Sequence, residues 1–119
     1  MSTKPERVWV AGGRNYKDAR RLCQVLDRYR EKHDVGIIIT GAQTGTDTLA
    51  EQYAREHEIA YIGVPAQWSK YGKRAGPLRN ERIAAFFAPA VLIAFPGGPG
   101  TASAIKIARE YEIQVYEID

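Results

Sequence analysis

The chain has 119 residues, the length of one ordinary domain, and 45% of them are hydrophobic, enough to bury a core without covalent staples. Its 17 basic residues against 14 acidic ones leave a net charge of only +3, and the single cysteine, Cys23, excludes an internal disulfide and a multi-cysteine zinc site. No run approaches the roughly 20 apolar residues of a membrane span, and the polar stretch Met1 to Glu6 lacks the apolar centre of a secretory leader. A cytoplasmic protein with no membrane contact is therefore expected.

Strand and helix patterns alternate along the chain. Arg7-Val8-Trp9-Val10-Ala11 is β-prone and stops at Gly12-Gly13. From about Asp18 to His33, the apolar residues Ala19, Leu22, Cys23, Leu26 and Tyr29 recur at helical spacing. Cys23 within that stripe reads as a buried or half-buried thiol rather than a reactive one. Gly36-Ile37-Ile38-Ile39-Thr40 is a largely β-branched run, suited to a strand covered on both faces. Leu49, Ala50, Tyr53 and Ala54 predict a helix over Thr46 to Glu58, and Ala60 to Val64 reads as a third strand. Pro65 to Gly76 is a longer loop carrying Trp68, Tyr71 and several cations. Pro77 fits the first turn of a helix to about Phe87. Ala90 to Phe95 is a fourth strand, Ala102 to Tyr111 a fourth main helix, and Gln114 to Ile118 the last strand. The alternation predicts an α/β, Rossmann-like doubly wound parallel sheet of about five strands, with helices on both faces and one domain over residues 1–119.

In open α/β sheets, ligands bind beyond the carboxyl ends of the strands, and the glycines of this chain fall there. Gly12-Gly13-Arg14-Asn15 follows the first strand and Gly41-Ala42-Gln43-Thr44-Gly45-Thr46-Asp47 the second. Pro96-Gly97-Gly98-Pro99-Gly100-Thr101 follows the fourth and opens a helix. Lacking a Cβ, glycine can take positive φ and bring backbone close to a ligand. Gly97, Gly98 and Gly100 are expected to turn N–H groups toward an anion, backed by the helix dipole. Thr101 either caps that helix or bonds a phosphate oxygen. Both GxGxxG and the Walker A pattern are absent, which disfavours a standard dinucleotide site.

Several side chains accompany these turns. Arg14 offers planar, bidentate contact to phosphate or carboxylate, whereas Asn15 alternatively caps the first helix. Asp47 is a helix cap or first-turn acid, or else it bonds a ribose hydroxyl or polarises a reacting group. Arg79 and Asn80 fall in the predicted first turn of the third helix, where a cation opposes the dipole, and Arg82 shares the Arg79 face. Arg14, Lys17, Lys70, Lys73, Arg74, Arg79 and Arg82 fall in two stretches. A pocket for a small anion explains that clustering with fewer residues than a nucleic-acid surface. Trp68 and Tyr71, lying among cations, suit stacking on a base, closing over a ligand, covering the core edge or contacting a second copy. His33 and His57 end predicted helices and belong to no metal-binding motif; neither a metal nor a cofactor is expected.

Four ordered stretches resemble a known family: Ala11-Gly12-Gly13-Arg14-Asn15-Tyr16, Thr40 to Asp47, Ala75-Gly76-Pro77-Leu78-Arg79-Asn80-Glu81-Arg82, and Ala94 to Thr101. The family is the bacterial and phage YspA or cpYpsA-related branch (DUF2493) of the SLOG superfamily, and the resemblance covers nearly the whole chain. The superfamily includes the LOG phosphoribohydrolases, once labelled lysine decarboxylase-like, and the DNA-processing protein DprA. The resemblance implies a nucleotide or nucleotide-sugar pocket around the PGGxGT loop, and often a dimer or higher homo-oligomer. LOG enzymes cleave the N-glycosidic bond of nucleoside monophosphates with a glutamate three residues after the loop threonine. That position here is Ala104, while Arg79 falls roughly where LOG proteins carry a catalytic arginine. Such chemistry needs a carboxylate, so a ligand-binding or sensor domain for a nucleotide, nucleotide-sugar or NAD- or ADP-ribose-derived molecule is the first expectation. A nucleotide hydrolase or ribosyl transferase is the second, with Asp47 supplying the acid, Glu81 as a weaker substitute and Arg79 beside it. Single-stranded DNA binding, by analogy with DprA, is the third; the modest charge disfavours it.

Overall fold

Alternating burial along the central strand sets the architecture. Val8 and Val10 of β1 (Glu6–Ala11) join one apolar cluster and Trp9 joins another, and none of the three is more than 1% exposed. A strand apolar on both faces needs cover on both, which a parallel sheet flanked by helices supplies. The computed structural model describes residues 4–119; the leader reading of Met1 to Thr3 lies outside the described residues. β2 (Val35–Thr40) and β4 (Val91–Ala94) flank β1, while β3 (Ala60–Gly63) and β5 (Gln114–Glu117) form the edges, in the order β3-β2-β1-β4-β5. Every pairing is parallel, with Trp9 opposite Ile39 on one side and Leu92 on the other. The five-stranded, Rossmann-like α/β sheet expected from the alternation is the observed one.

Helix α1 (Ala19–Arg30) lays Leu22 and Leu26 on the Val8/Val10 face, and α2 (Thr46–Glu56) adds Ala50, Tyr53 and Ala54. The opposite face, with Trp9, is covered by Ile83 and Ala84 and by Ala104, Ile107 and Ala108 of the last helix. Asp18, rather than Asn15, caps α1: its Oδ1 accepts from the Arg21 N–H at 3.0 Å. Cys23 is half-buried, and burial pushes its thiol pKa up, the inert direction. His57 ends α2, while His33 stacks on Tyr29 and bonds Glu6 at 2.8 Å.

The segment between β3 and β4 departs most from the sequence expectation. The long loop contains a short helix, α3 (Trp68–Tyr71), and a tight turn over Gly72–Arg74. Helix α4 (Ala75–Arg82) starts two residues before Pro77 and widens into a π-helical turn over Ile83–Phe87. That turn stops at Ala88, whose φ of 44° is left-handed, just before Pro89. Arg79 therefore lies in the middle of the continuous helical segment 75–87, beyond its first turn; the expected first-turn conflict does not exist. Helix α5 (Pro99–Glu110) likewise starts earlier than expected, with Gly98 at its N-cap. Thr101 falls inside the first turn and makes no capping bond, which corrects its predicted capping role. Among the described residues no helix is long and apolar enough to cross a membrane.

Candidate functional site

The chain order sends the helix after β1 to one face of the sheet and the helix after β4 to the other, so a crevice opens between these neighbours at their carboxyl ends. A cavity of about 520 Å³ occupies it, within the usual range for small-molecule sites. Gly12, Gly13 and Arg14 line it from β1, and Gly41, Gln43 and Asp47 from the β2–α2 turn. Arg79 and Asn80 enter from α4, and Gly98, Gly100 and Thr101 from the start of α5. Ala104, one turn along α5, is 1% exposed and also lines the cavity. Ala104, the position that the resemblance sets against the LOG acid, thus presents a methyl group to the site.

The glycines divide by what their missing side chains would meet. A Cβ on Gly97 would lie 2.2 Å from Thr101 Oγ1, and one on Gly12 would lie 2.3 Å from Thr46 Oγ1. Gly45 has a φ of 75°, and its Cβ would strike the carbonyls of Gly13 and Arg14. These three glycines permit close packing of the turns. Gly98 and Gly100 have nothing within 4 Å of the Cβ position. Neither Gly97, Gly98 nor Gly100 has a positive φ, so the expected left-handed backbone is absent from this loop. At 98 and 100 the lack of a side chain instead keeps the cavity wall open. Pro99 has no N–H, and the N–H groups of Gly100 and Thr101 take no backbone partner among the described residues. They are the unsatisfied donors of a helix start.

The turns are tied to one another. Gly13 N–H donates to the Pro96 carbonyl at 2.9 Å, and Thr46 N–H to the Gly13 carbonyl at 3.1 Å. Thr44 Oγ1 donates to the Arg14 carbonyl at 3.2 Å. Thr44, Gly45, Pro96 and Gly97 therefore brace the site without lining it, and exposed Asn15 lies outside it. Arg82 is also outside: it is exposed and borders a separate shallow depression with Glu81 and Phe86. The expectation that it shares the Arg79 face is corrected, because three residues turn a helix by about 300°, enough here to separate a buried from a solvated side chain.

Charge is concentrated deep in the cavity. Asp47 is 6% exposed, and its Oδ2 accepts from the N–H groups of Gly41 at 3.1 Å and Gln43 at 3.2 Å. Burial pushes its carboxyl pKa up to about 6, against the lowering pull of the Gln43 N–H, Arg79 and the Gly41 N–H. Arg79 is 8% exposed; Nη1 donates to the Gly41 carbonyl at 2.7 Å and Nε to Asn80 Oδ1 at 2.8 Å. Its burial lowers the guanidinium pKa, Asp47 opposes that shift, and Arg14 adds to it. Asn80 Nδ2 in turn donates to the Gly100 carbonyl and Ser103 Oγ, both at 3.4 Å. Asp47 Oδ1 and Arg79 Nη2 make no hydrogen bond among the described residues, yet no buried polar side-chain atom there lacks a partner. Those two atoms consequently open onto the cavity.

Trp9, Gln43, Lys73 and Ser103 also line the site and were not among the candidate site residues, although Lys73 belonged to the basic cluster. Trp9 looked like a strand core residue, Gln43 was an unremarked position within the Thr40 to Asp47 stretch, and Ser103 carries no motif. Lys73 sat in the cationic loop, which gave the one usable hint. Trp68 lines the cavity, but Tyr71 does not. No cluster of three or more potential metal-ligating His, Cys, Asp or Glu residues occurs among the described residues.

Solved structures share this fold. A molybdenum cofactor binding protein from the phototrophic bacterium Rippkaea orientalis superposes with a TM-score of 0.67 at 22% identity, covering 99% of this chain and 80% of that one. A UDP-N-acetylglucosamine 2-epimerase superposes with a TM-score of 0.62 at 13% identity over 98% of this chain, which spans only 32% of the epimerase. No curated protein matches the sequence. The model of the YspA, cpYpsA-related SLOG family matches residues 6–71, more than half of the chain, and the protein belongs to that family.

Proposed function

We propose that the cavity binds a small phosphate-bearing ligand of the nucleotide or nucleotide-sugar class, with its phosphate at the start of α5. The observation that carries this reading is the pairing of open space with free donors. Gly98 and Gly100 leave their Cβ positions empty, and the Gly100 and Thr101 N–H groups are unpaired beside them. A helix start with free amides is a ready anion site. Arg79 supplies a buried countercharge, Arg14 a second cation at the rim, and Asp47 Oδ1 an acceptor for a ribose hydroxyl. The gap at Ala104 supports binding over LOG-type hydrolysis.

The test is a thermal-shift screen followed by calorimetry, using nucleoside mono- and diphosphates, UDP-N-acetylglucosamine, NAD, ADP-ribose and molybdenum cofactor. At least one compound should stabilise the protein, and Gly98→Asp should abolish the effect. If no compound binds, the proposal fails.

The raised pKa of Asp47, about 6, favours one second reading: a carboxyl that titrates near neutrality suits acid–base work on a nucleotide. Incubation with nucleoside monophosphates and NAD, followed by chromatography, should then release free base, and Asp47→Asn should stop it. Without turnover, this second reading falls.

A further inference from the structure

Trp68 is 45% exposed and belongs to neither apolar cluster of the fold. A core role is therefore excluded for the largest side chain of its segment. Helix α3 holds it at the cavity wall, facing the N-terminal end of α4. There a Cβ on Gly76 would lie 3.3 Å from Trp68 Cη2, so glycine at 76 gives the indole ring uncrowded room. Arg14 stands over the ring: its Cζ lies 5.5 Å from the Trp68 ring centroid. Arg14 Nε donates to Gln43 Oε1 at 2.9 Å, which sets the resting position of an otherwise exposed guanidinium. Trp68, Arg14 and Gly76 line the same cavity as Gly100 and Thr101.

We propose that Trp68 and Arg14 form a clamp for a planar aromatic ring, which makes the ligand a nucleotide rather than a bare sugar phosphate. The proposal rests on the phosphate-site reading above and specifies its other end. An indole face and a guanidinium plane are both stacking surfaces that accept any base. Inserting a ring between them needs roughly 7 Å, two van der Waals separations of about 3.5 Å. The present 5.5 Å becomes sufficient through a small swing of Arg14, an exposed side chain. A sugar phosphate fills the phosphate end and leaves the clamp closed.

Ribose 5-phosphate is compared with AMP, GMP, CMP and UMP by calorimetry and by tryptophan fluorescence. At least one nucleotide should bind at least about tenfold tighter than ribose 5-phosphate, as base stacking of this kind gives, and should quench fluorescence that is lost in Trp68→Phe. In Trp68→Ala that affinity ratio should collapse toward one, while Trp68→Phe should keep most of it. If ribose 5-phosphate and every nucleotide bind wild type equally, or if Trp68→Ala leaves the ratio intact, the clamp is wrong and the phosphate site stands. If Trp68→Ala changes only the oligomeric state on size-exclusion chromatography, Trp68 is an interface residue and the clamp is wrong. If neither ribose 5-phosphate nor any nucleotide binds, the clamp is wrong, and the phosphate site falls with it only when the wider ligand screen is also empty.

Discussion

Asp47 and Arg79 bring opposite charges into one cavity but are joined through a single residue, Gly41. Its N–H donates to Asp47 Oδ2 at 3.1 Å, and its carbonyl accepts from Arg79 Nη1 at 2.7 Å. The backbone of the β2–α2 turn thus fixes both side chains while leaving Asp47 Oδ1 and Arg79 Nη2 open to the cavity. A Cβ on Gly41 would lie 2.4 Å from Nη1 and 3.1 Å from Oδ2. Gly41→Ala should accordingly cost about 1–3 kcal/mol of stability, the usual penalty of overpacking a tight site. Urea unfolding measures it, and a loss below about 0.5 kcal/mol would mean the guanidinium moves aside freely.

Gly100→Ala should separate folding from binding. The position lies in the first turn of α5 with open space ahead of it, and alanine favours helix over glycine by up to about 1 kcal/mol. Thermal unfolding should be unchanged or slightly higher, while phosphate-ligand affinity falls at least about tenfold, as expected from a methyl group in the ligand's place. A variant that is less stable and binds normally would show that glycine serves the fold.

The two arginines of α4 should behave differently. Arg79→Lys cannot satisfy both the Gly41 carbonyl and Asn80 Oδ1 and should lose about 1–3 kcal/mol together with ligand binding. Arg82→Gln, at an exposed position outside the cavity, should stay within about 0.5 kcal/mol of wild type and keep its affinity. Equal effects from both would contradict the burial assigned to Arg79.

Asp47 predicts a pH effect with a definite sign. Its pKa is raised from 3.8 to about 6 by burial, so between these values the folded chain holds a proton that the unfolded chain releases. That contribution is complete below the lower value and is lost as pH rises through the upper one, costing up to about 3 kcal/mol. Asp47→Asn lacks this loss, so its stability relative to wild type should increase between pH 4 and 7, as read by urea unfolding at each pH. A flat difference would show that Asp47 ionises like a solvated carboxylate.

The three central strands were legible because they are short apolar runs soon followed by glycine, as at Ile39–Gly41 and Phe95–Gly97. The cavity-facing parts of the three glycine turns were legible for the same reason, since ligand sites cluster at those ends. Helix starts were less so. Pro77 is preceded by Ala75 and Gly76 within the first turn of α4, whereas Pro99 itself opens α5; a proline tolerated near a helix start does not mark which turn position it occupies. The direction of Arg82 was hidden because i,i+3 neighbours share a face only approximately. Trp9 could not be separated from an ordinary core residue, since β1 is apolar on both faces and only its place in the cavity wall distinguishes it.

The central claim is that the start of α5 holds a ligand phosphate. Isothermal titration of wild type and Gly100→Asp with nucleoside monophosphates, UDP-N-acetylglucosamine and ADP-ribose at one fixed salt concentration tests it most directly. The account predicts saturable binding of at least one of these by wild type and none by Gly100→Asp, with both proteins equally folded by circular dichroism. Undiminished binding by Gly100→Asp, or no binding of any compound by wild type, would contradict it.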